Sequence, residues 1–249
     1  MILGAGAAAT VDNSIDFNSI DPRPVLIVTG LVQEARIAAG PGMIVICSSS
    51  DPAQLRALLA TLDPSSFRGV ISFGVAGGLD PSLKSGDVVV ATEVLAGDTR
   101  FLAGLALNEE MIASAALKRR RVVRGGLAGV EQVIAATACK AALHSETGAA
   151  AVDMESHIAA AYASAAGIPF AALRVISDPA SRSLPALAKS AIKPNGDIDL
   201  RKVLRGLVRN PTTLRALVST GIDFNRALRS LRGCRSFLIG GEDLATVDI

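Results

Sequence analysis

From Val25 onward, short runs rich in Val and Ile alternate with longer Ala- and Leu-rich stretches at helical spacing. This alternation is the pattern of an α/β fold. It predicts strands over 25–29, 43–47, 69–73, 87–92, 131–135, 151–153 and 170–176. Several are apolar throughout, as strands covered on both faces are. Between them, Asp51 and Pro52 supply an N-cap and an N1 proline for a helix running to Leu62. Asn108 caps a helix from Glu109, and Thr137 caps another ending near Gly148. A further helix spans 155–166 and stops at Gly167 in the C′ position.

The flanks read differently. Residues 1–22 show no clear periodicity and are expected to form a loose extension to a single domain over 23–249. The stretch Gly4 to Ala9 imitates a dinucleotide fingerprint but lacks the preceding strand and following helix that such a motif needs. From about residue 184 the strands stop, and helices are expected around 199–209, 212–219 and 223–231. Residues 186–235 carry eleven Lys/Arg against three Asp/Glu, a net of +8, which leaves −6 for the rest of a chain whose total is +2. The helical end is therefore a basic region on a mildly acidic body. Leu200, Val203, Leu204, Leu207 and Val208 share one helical stripe, with Arg201, Lys202, Arg205 and Arg209 around the other side. That arrangement suits either a solvated face on a core-packed helix or a surface resting on anionic lipid.

Composition narrows the function classes. The chain has 249 residues, of which 50% are hydrophobic and 19% charged, enough for a sizeable core. With 3% aromatic residues, no Trp and near-balanced charge, it offers no stacking platform or overall basic field for nucleic acid. Cys47, Cys139 and Cys234 are far apart and odd in number, which points to neither a disulfide framework nor a zinc site, and fits a reducing cytoplasm. No apolar run reaches the roughly 18 residues of a membrane span, and the first residues lack a basic signal region. A cytoplasmic protein without a metal is expected.

Three segments carry chemistry. In the first, the strand leading to Ser72 and Phe73 enters the glycine-rich Gly74-Val75-Ala76-Gly77-Gly78, where missing side chains let a ligand approach backbone N–H groups. The second, Val152-Asp153-Met154-Glu155, sets two carboxylates at the join of a short strand and a helix. The third, Arg174-Val175-Ile176-Ser177-Asp178-Pro179, ends an apolar strand in an acid at the sheet edge where α/β proteins bind ligands. Singly, each has an ordinary structural reading: a tight connection, a helix-dipole acid, a turn Asp before proline. Arg174, inside an apolar strand, needs a carboxylate partner, and Asp153 and Glu155 are the candidates. His157 and His144 read as packing or surface residues.

Together, in this order, the segments resemble the nucleoside phosphorylase and nucleosidase superfamily over roughly 25–179, particularly methylthioadenosine/S-adenosylhomocysteine nucleosidase. The basic helical extension, with Asp178-Pro179-Ala180 leading to Ser183-Leu184-Pro185, resembles the hopanoid-associated phosphorylases, which are thought to remove adenine from adenosylhopane. The resemblance implies a three-layer α/β/α architecture with a central mixed sheet flanked by helices. It implies a homo-oligomer acting on a small-molecule nucleoside, lipid-linked in the hopanoid branch, with no cofactor. The basic helices would then rest on the inner membrane face. By position in the motif, Asp178 hydrogen-bonds adenine and protonates N7, oriented by Ser177. Glu155 accepts from the ribose hydroxyls, Met154 packs on the sugar, and Gly74, Ala76 and Gly77 let the nucleoside lie near the sheet. Such chemistry needs a proton donor at the base and a carboxylate near the sugar.

The nucleophile is open. In the run from Thr29 to Arg36, a register anchored on Gly30 puts Ala35 where the nucleosidases carry Glu. Glu34 is then the base after a small shift, or Arg36 binds phosphate as co-substrate. Val75 stands where phosphorylases carry a hydroxyl, which favours water. A purine nucleoside phosphorylase and a non-catalytic nucleoside- or lipid-binding module are the alternatives.

Overall fold

The computed structural model describes residues 21–104, 120–184 and 214–239. Eight strands, β1 (Val25–Thr29), β2 (Met43–Cys47), β3 (Gly69–Gly78), β4 (Val88–Ala96), β5 (Thr99–Leu102), β6 (Val122–Gly129), β7 (Ala151–Asp153) and β8 (Phe170–Asp178), form one mixed sheet. Six α-helices accompany them among the described residues: α1 (Val32–Ala38), α2 (Pro52–Ala60), α3 (Thr137–Thr147), α4 (Ser156–Ala166), α5 (Leu214–Gly233) and α6 (Ser236–Ile239). The mixed sheet flanked by helices is the architecture the sequence led us to expect.

The sheet also curls. β3 pairs with β8 along most of its length and with β7 at its end, while β8 reaches β4, β4 reaches β6 and β6 reaches β7. The pairing path thus returns to β3, and β1 and β2 extend from it in parallel. Strand alternation sorts the apolar side chains into two layers. Leu26 and Val28 of β1 pack with Leu55 and Leu59 of α2 and Ile158, Ala159 and Ala163 of α4. Val25 and Ile27 pack with Ile37 of α1, Leu228 and Leu231 of α5 and Phe237 of α6.

Local signals held where their chemistry was explicit. Asp51 accepts from the N–H groups of Ala53 and Gln54 at the start of α2. Gly148 and Gly167 end α3 and α4 at φ +68° and +65°. Three expectations are corrected. The run 131–135 is not a strand, because Glu131 turns outward to Arg56 and His157. The paired segment is β6 instead, whose glycines hid it: a methyl group on Gly129 would lie 2.3 Å from His157 Cβ, so the close packing of α4 requires glycine there. Thr137 is the first helical residue and not the cap of α3; Ala136 takes the N-cap position without a side-chain bond, and the Thr137 N–H reaches Ser183 Oγ at 3.4 Å. Finally, α5 is one helix where two were expected. It runs through Gly221, at a cost of about 1 kcal/mol, held by the buried stripe of Ala227, Leu228 and Leu231. The helices expected at 109 and 199–209, and the segment Gly4 to Ala9, lie outside the described residues.

Candidate active site

The C-terminal ends of β1, β3, β7 and β8 meet, and they bring two charge clusters to one edge of the sheet. The first is built around Arg174, which is fully buried in β8 beside its register partner Gly74 in β3. Its Nε donates to Asp153 Oδ2 at 2.5 Å and its Nη2 to Ser72 Oγ at 2.6 Å and Ser156 Oγ at 3.2 Å. Glu155 Oε2 stands 3.6 Å from Nη2. Asp153 is thus the nearer of the two partners that Arg174 required, anchored in turn by the Ser156 N–H and hydroxyl.

Glu34 completes this cluster. Its Oε2 accepts from the N–H groups of Gly30 and Leu31, both at 2.9 Å, and its Oε1 from Val75 N–H at 2.7 Å. Val75 therefore contributes its backbone, not its side chain. The carboxylate at position 34, not Ala35, points into the cluster, while Arg36 is exposed, about 200° further around α1. The structure does not bring Arg36 together with the other candidate residues. Arg174 Nη1 makes no hydrogen bond. A methyl group on Gly74 would lie 2.5 Å from that atom and 2.7 Å from Glu34 Oε1, and one on Gly30 would lie 2.6 Å from Glu155 Oε1. Both glycines are thus required by the close approach of charged side chains.

The second cluster surrounds Asp178 at the end of β8. Its Oδ1 lies 2.6 Å from Ser177 Oγ, which also approaches the Ala76 carbonyl at 3.1 Å, and its Oδ2 lies 2.6 Å from Lys140 Nζ of α3. Gly77 is close by, since a methyl group there would sit 3.2 Å from Asp178 Oδ2. Met154, half-buried, stands between Asp153 and Glu155 at the join of β7 and α4. Beside the strap that follows Asp178 is a cavity of about 430 Å³ lined by Leu79, Pro81, Ala138, Ala141, His144 and Ala180, among others.

Burial dominates the electrostatics. It raises the Glu34 carboxyl above its ordinary value, against the opposing pull of Arg174 and three backbone N–H groups. It pushes Glu155 up to about 8, against Arg174 and with the help of the Asp153 and Glu34 charges. It raises Asp178 as well, opposed by Lys140 and Ser177. Lys140, wholly buried, is the residue that sequence reasoning missed. Its one signal was the absence of an acidic partner one turn away, where Ala136, Thr137, Leu143 and His144 stand. His157 Nε2 meets Glu131 Oε1 at 2.9 Å, and His144 Nδ1 meets the Ala149 carbonyl at 2.9 Å.

A mixed α/β sheet that gathers buried acids from separate segments at one edge suits an enzyme that handles protons at that edge. The signature of the phosphorylase superfamily matches residues 13–208, and the chain belongs to that superfamily. Among curated proteins no sequence matches it. Solved structures share the fold. 5′-Methylthioadenosine/S-adenosylhomocysteine nucleosidase from Helicobacter pylori matches at a TM-score of 0.59 and 19% identity, covering 87% of this chain and 96% of that one. Futalosine hydrolase of the same organism matches at 0.59 and 19%, covering 88% and 97%. The nucleosidase from Neisseria meningitidis, in complex with methylthio-immucillin-A, matches at 0.59 and 18%, covering 87% and 99%.

Proposed function

We propose that the protein is a nucleosidase that hydrolyses the N-glycosidic bond of a 5′-modified adenosine and releases adenine, with adenosylhopane as its substrate. The observation that carries this reading is the pairing of Glu34 Oε1 with the unbonded Arg174 Nη1 on either side of Gly74. A carboxylate and a free N–H donor facing one point can hold and deprotonate a water molecule. In the reaction, that water attacks C1′ and gives its proton to Glu34. The C1′–N9 bond breaks with its electron pair going to the base, and Asp178, oriented by Ser177, delivers a proton to N7. Glu155 accepts from the ribose hydroxyls and Met154 packs on the sugar, while Gly74, Ala76 and Gly77 leave room for the nucleoside.

Phosphate is the poorer nucleophile for this site. Arg174 is already faced by Asp153, Glu155 and Glu34, whose charges repel a dianion, Val75 offers no hydroxyl, and Arg36 is exposed. The lipid-linked substrate is supported by the Asp178-Pro179-Ala180 segment and by the basic end of the chain. On α5, Arg226, Arg229 and Arg232 are exposed, as are Val218 and Ile222, a combination suited to resting on the inner membrane face. No helix among the described residues is long and apolar enough to cross a membrane. In this reading residues 23–249 form one cytoplasmic, homo-oligomeric domain that needs no cofactor, and 1–22 form an extension.

Chromatographic assay of adenine release from adenosylhopane and from methylthioadenosine, each with and without phosphate, tests the proposal. Phosphate-independent release from the lipid nucleoside is expected. Strict phosphate dependence would overturn hydrolysis, and release from methylthioadenosine alone would overturn the lipid substrate.

A further inference from the structure

We propose that Lys140 is a positioning residue for Asp178, its ammonium holding the carboxyl and the strap from Pro179 to Arg182 in one arrangement at the base end of the site. The inference rests on the reading of Asp178 as the group that faces the departing adenine. Lys140 Nζ is surrounded by oxygen: Asp178 Oδ2 at 2.6 Å, the Asp178 carbonyl at 3.2 Å, the Pro179 carbonyl at 3.1 Å and the Arg182 carbonyl at 3.1 Å. All four are acceptors. An ammonium has three N–H groups to share among them.

A lysine buried only for stability needs a single counter-ion. Lys140 instead binds both the side chain and the backbone of Asp178, together with two further carbonyls of the strap. The strap is held from its far side as well, where the Arg182 guanidinium pairs with Asp223 of α5 and Ser85 Oγ donates to the Asp223 carbonyl at 2.9 Å. The groups that act on Asp178 are therefore Lys140 from α3, Ser177 from β8 and Asp223 from α5, with the Arg182 guanidinium turned to Asp223 and His144 a turn beyond Lys140 and bonded to the Ala149 carbonyl. Burial and the Asp223 charge favour the protonated carboxyl, and Lys140 is the largest influence against it. Lys140 thus works against burial and lowers the pH above which Asp178 gives up its proton.

The test is a carboxyl-¹³C titration of the free protein labelled at aspartate, with Asp178 assigned by its absence in Asp178→Asn. In Lys140→Met the Asp178 midpoint is expected to rise by about 1–3 pH units. The alkaline limb of kcat/KM should move the same way, and kcat should fall about tenfold or more while KM changes less. Lys140→Gln keeps a donor for the carbonyls but not the charge, and gives the same shift should the methionine variant fail to fold. Lys140→Arg keeps the charge and should leave the midpoint near its wild-type place. An unmoved Asp178 titration in a folded, uncharged variant would overturn the inference, even if adenine is released normally. A moved titration in a protein that releases no adenine would support it while removing the nucleosidase reading.

Discussion

At one end of the sheet edge a single guanidinium, Arg174, faces three carboxylates, Asp153, Glu34 and Glu155; at the other, one carboxylate, Asp178, faces one ammonium, Lys140. Burial is similar, since Glu34, Asp153, Glu155 and Asp178 are all at most 6% exposed. The balance of charge is not. Ionising every group leaves the first cluster two charges negative and the second neutral, and a desolvated surplus of charge is removed by retaining protons. Glu155, pushed up to about 8, carries that surplus proton. Glu34, also raised by burial, is offset by Arg174 and by three backbone N–H groups, whereas the Asp153 and Glu34 charges add to the rise of Glu155. The difference teaches that burial raises all of these acids and that the charges beside them set how far each rise is offset.

The sharpest way to break the comparison is Asp178→Asn. It keeps the size of the side chain and removes the proton donor, so adenine release should fall about 10²–10⁴-fold, the span a positioned general acid contributes. Nucleoside binding measured by calorimetry should stay within about tenfold. Activity near wild type would remove Asp178 from the reaction. The next effect is on folding. Arg174→Met leaves Asp153, Glu155 and Glu34 without their cation, and loss of a buried partner costs about 3–5 kcal/mol. Urea unfolding should show that loss, and a variant as stable as wild type would mean the acids do not depend on Arg174.

These residues were unequally legible in the sequence. Asp178, Glu155 and Asp153 sit inside motifs whose order could be read directly, and Arg174 announced its need for a partner by standing charged in an apolar strand. Glu34 was ambiguous because its register depended on one residue of loop, which the three N–H groups of Gly30, Leu31 and Val75 decide only once β1 and β3 lie side by side. Lys140 was hard to read because its partner is 38 residues away, and its one trace was the lack of an acid a turn away on its own helix. Strands followed the same rule. β1 and β2 showed as Val/Ile runs and β8 as an apolar run, while β6 was hidden by Gly125, Gly126 and Gly129, of which the first and last are required by close neighbours on other segments.

Glu155 sharpens the comparison through pH. Its folded value of about 8 lies above the ordinary 4.5, so between those values the native state holds a proton that the unfolded chain has released. Stability from this group is therefore complete below about 4.5 and is lost as pH rises through about 8. Asp178 and Glu34 are raised too and act in the same direction. Glu155→Gln should flatten the decline in urea midpoint between pH 5 and 8 relative to wild type. An unchanged slope would mean that the surplus proton resides elsewhere.

The smallest effect comes from a carboxylate that also has two cationic or ionisable partners but stands in water. Glu131 binds Arg56 through both oxygens and His157 through one, and these bonds, Arg56 first, pull its pKa down to about 2. Its sign is the reverse of Glu155: the pairing contributes above pH 4.5 and is lost as pH falls toward 2. Yet Glu131 and Arg56 are 55% and 50% exposed, so water screens the attraction and side-chain entropy opposes it. Glu131→Gln should therefore lower stability at pH 7 by no more than about 1 kcal/mol and leave adenine release unchanged. A loss near that of Arg174→Met would show that the number of partners, not solvent, sets the strength of these clusters, and would reverse the argument drawn from the sheet edge.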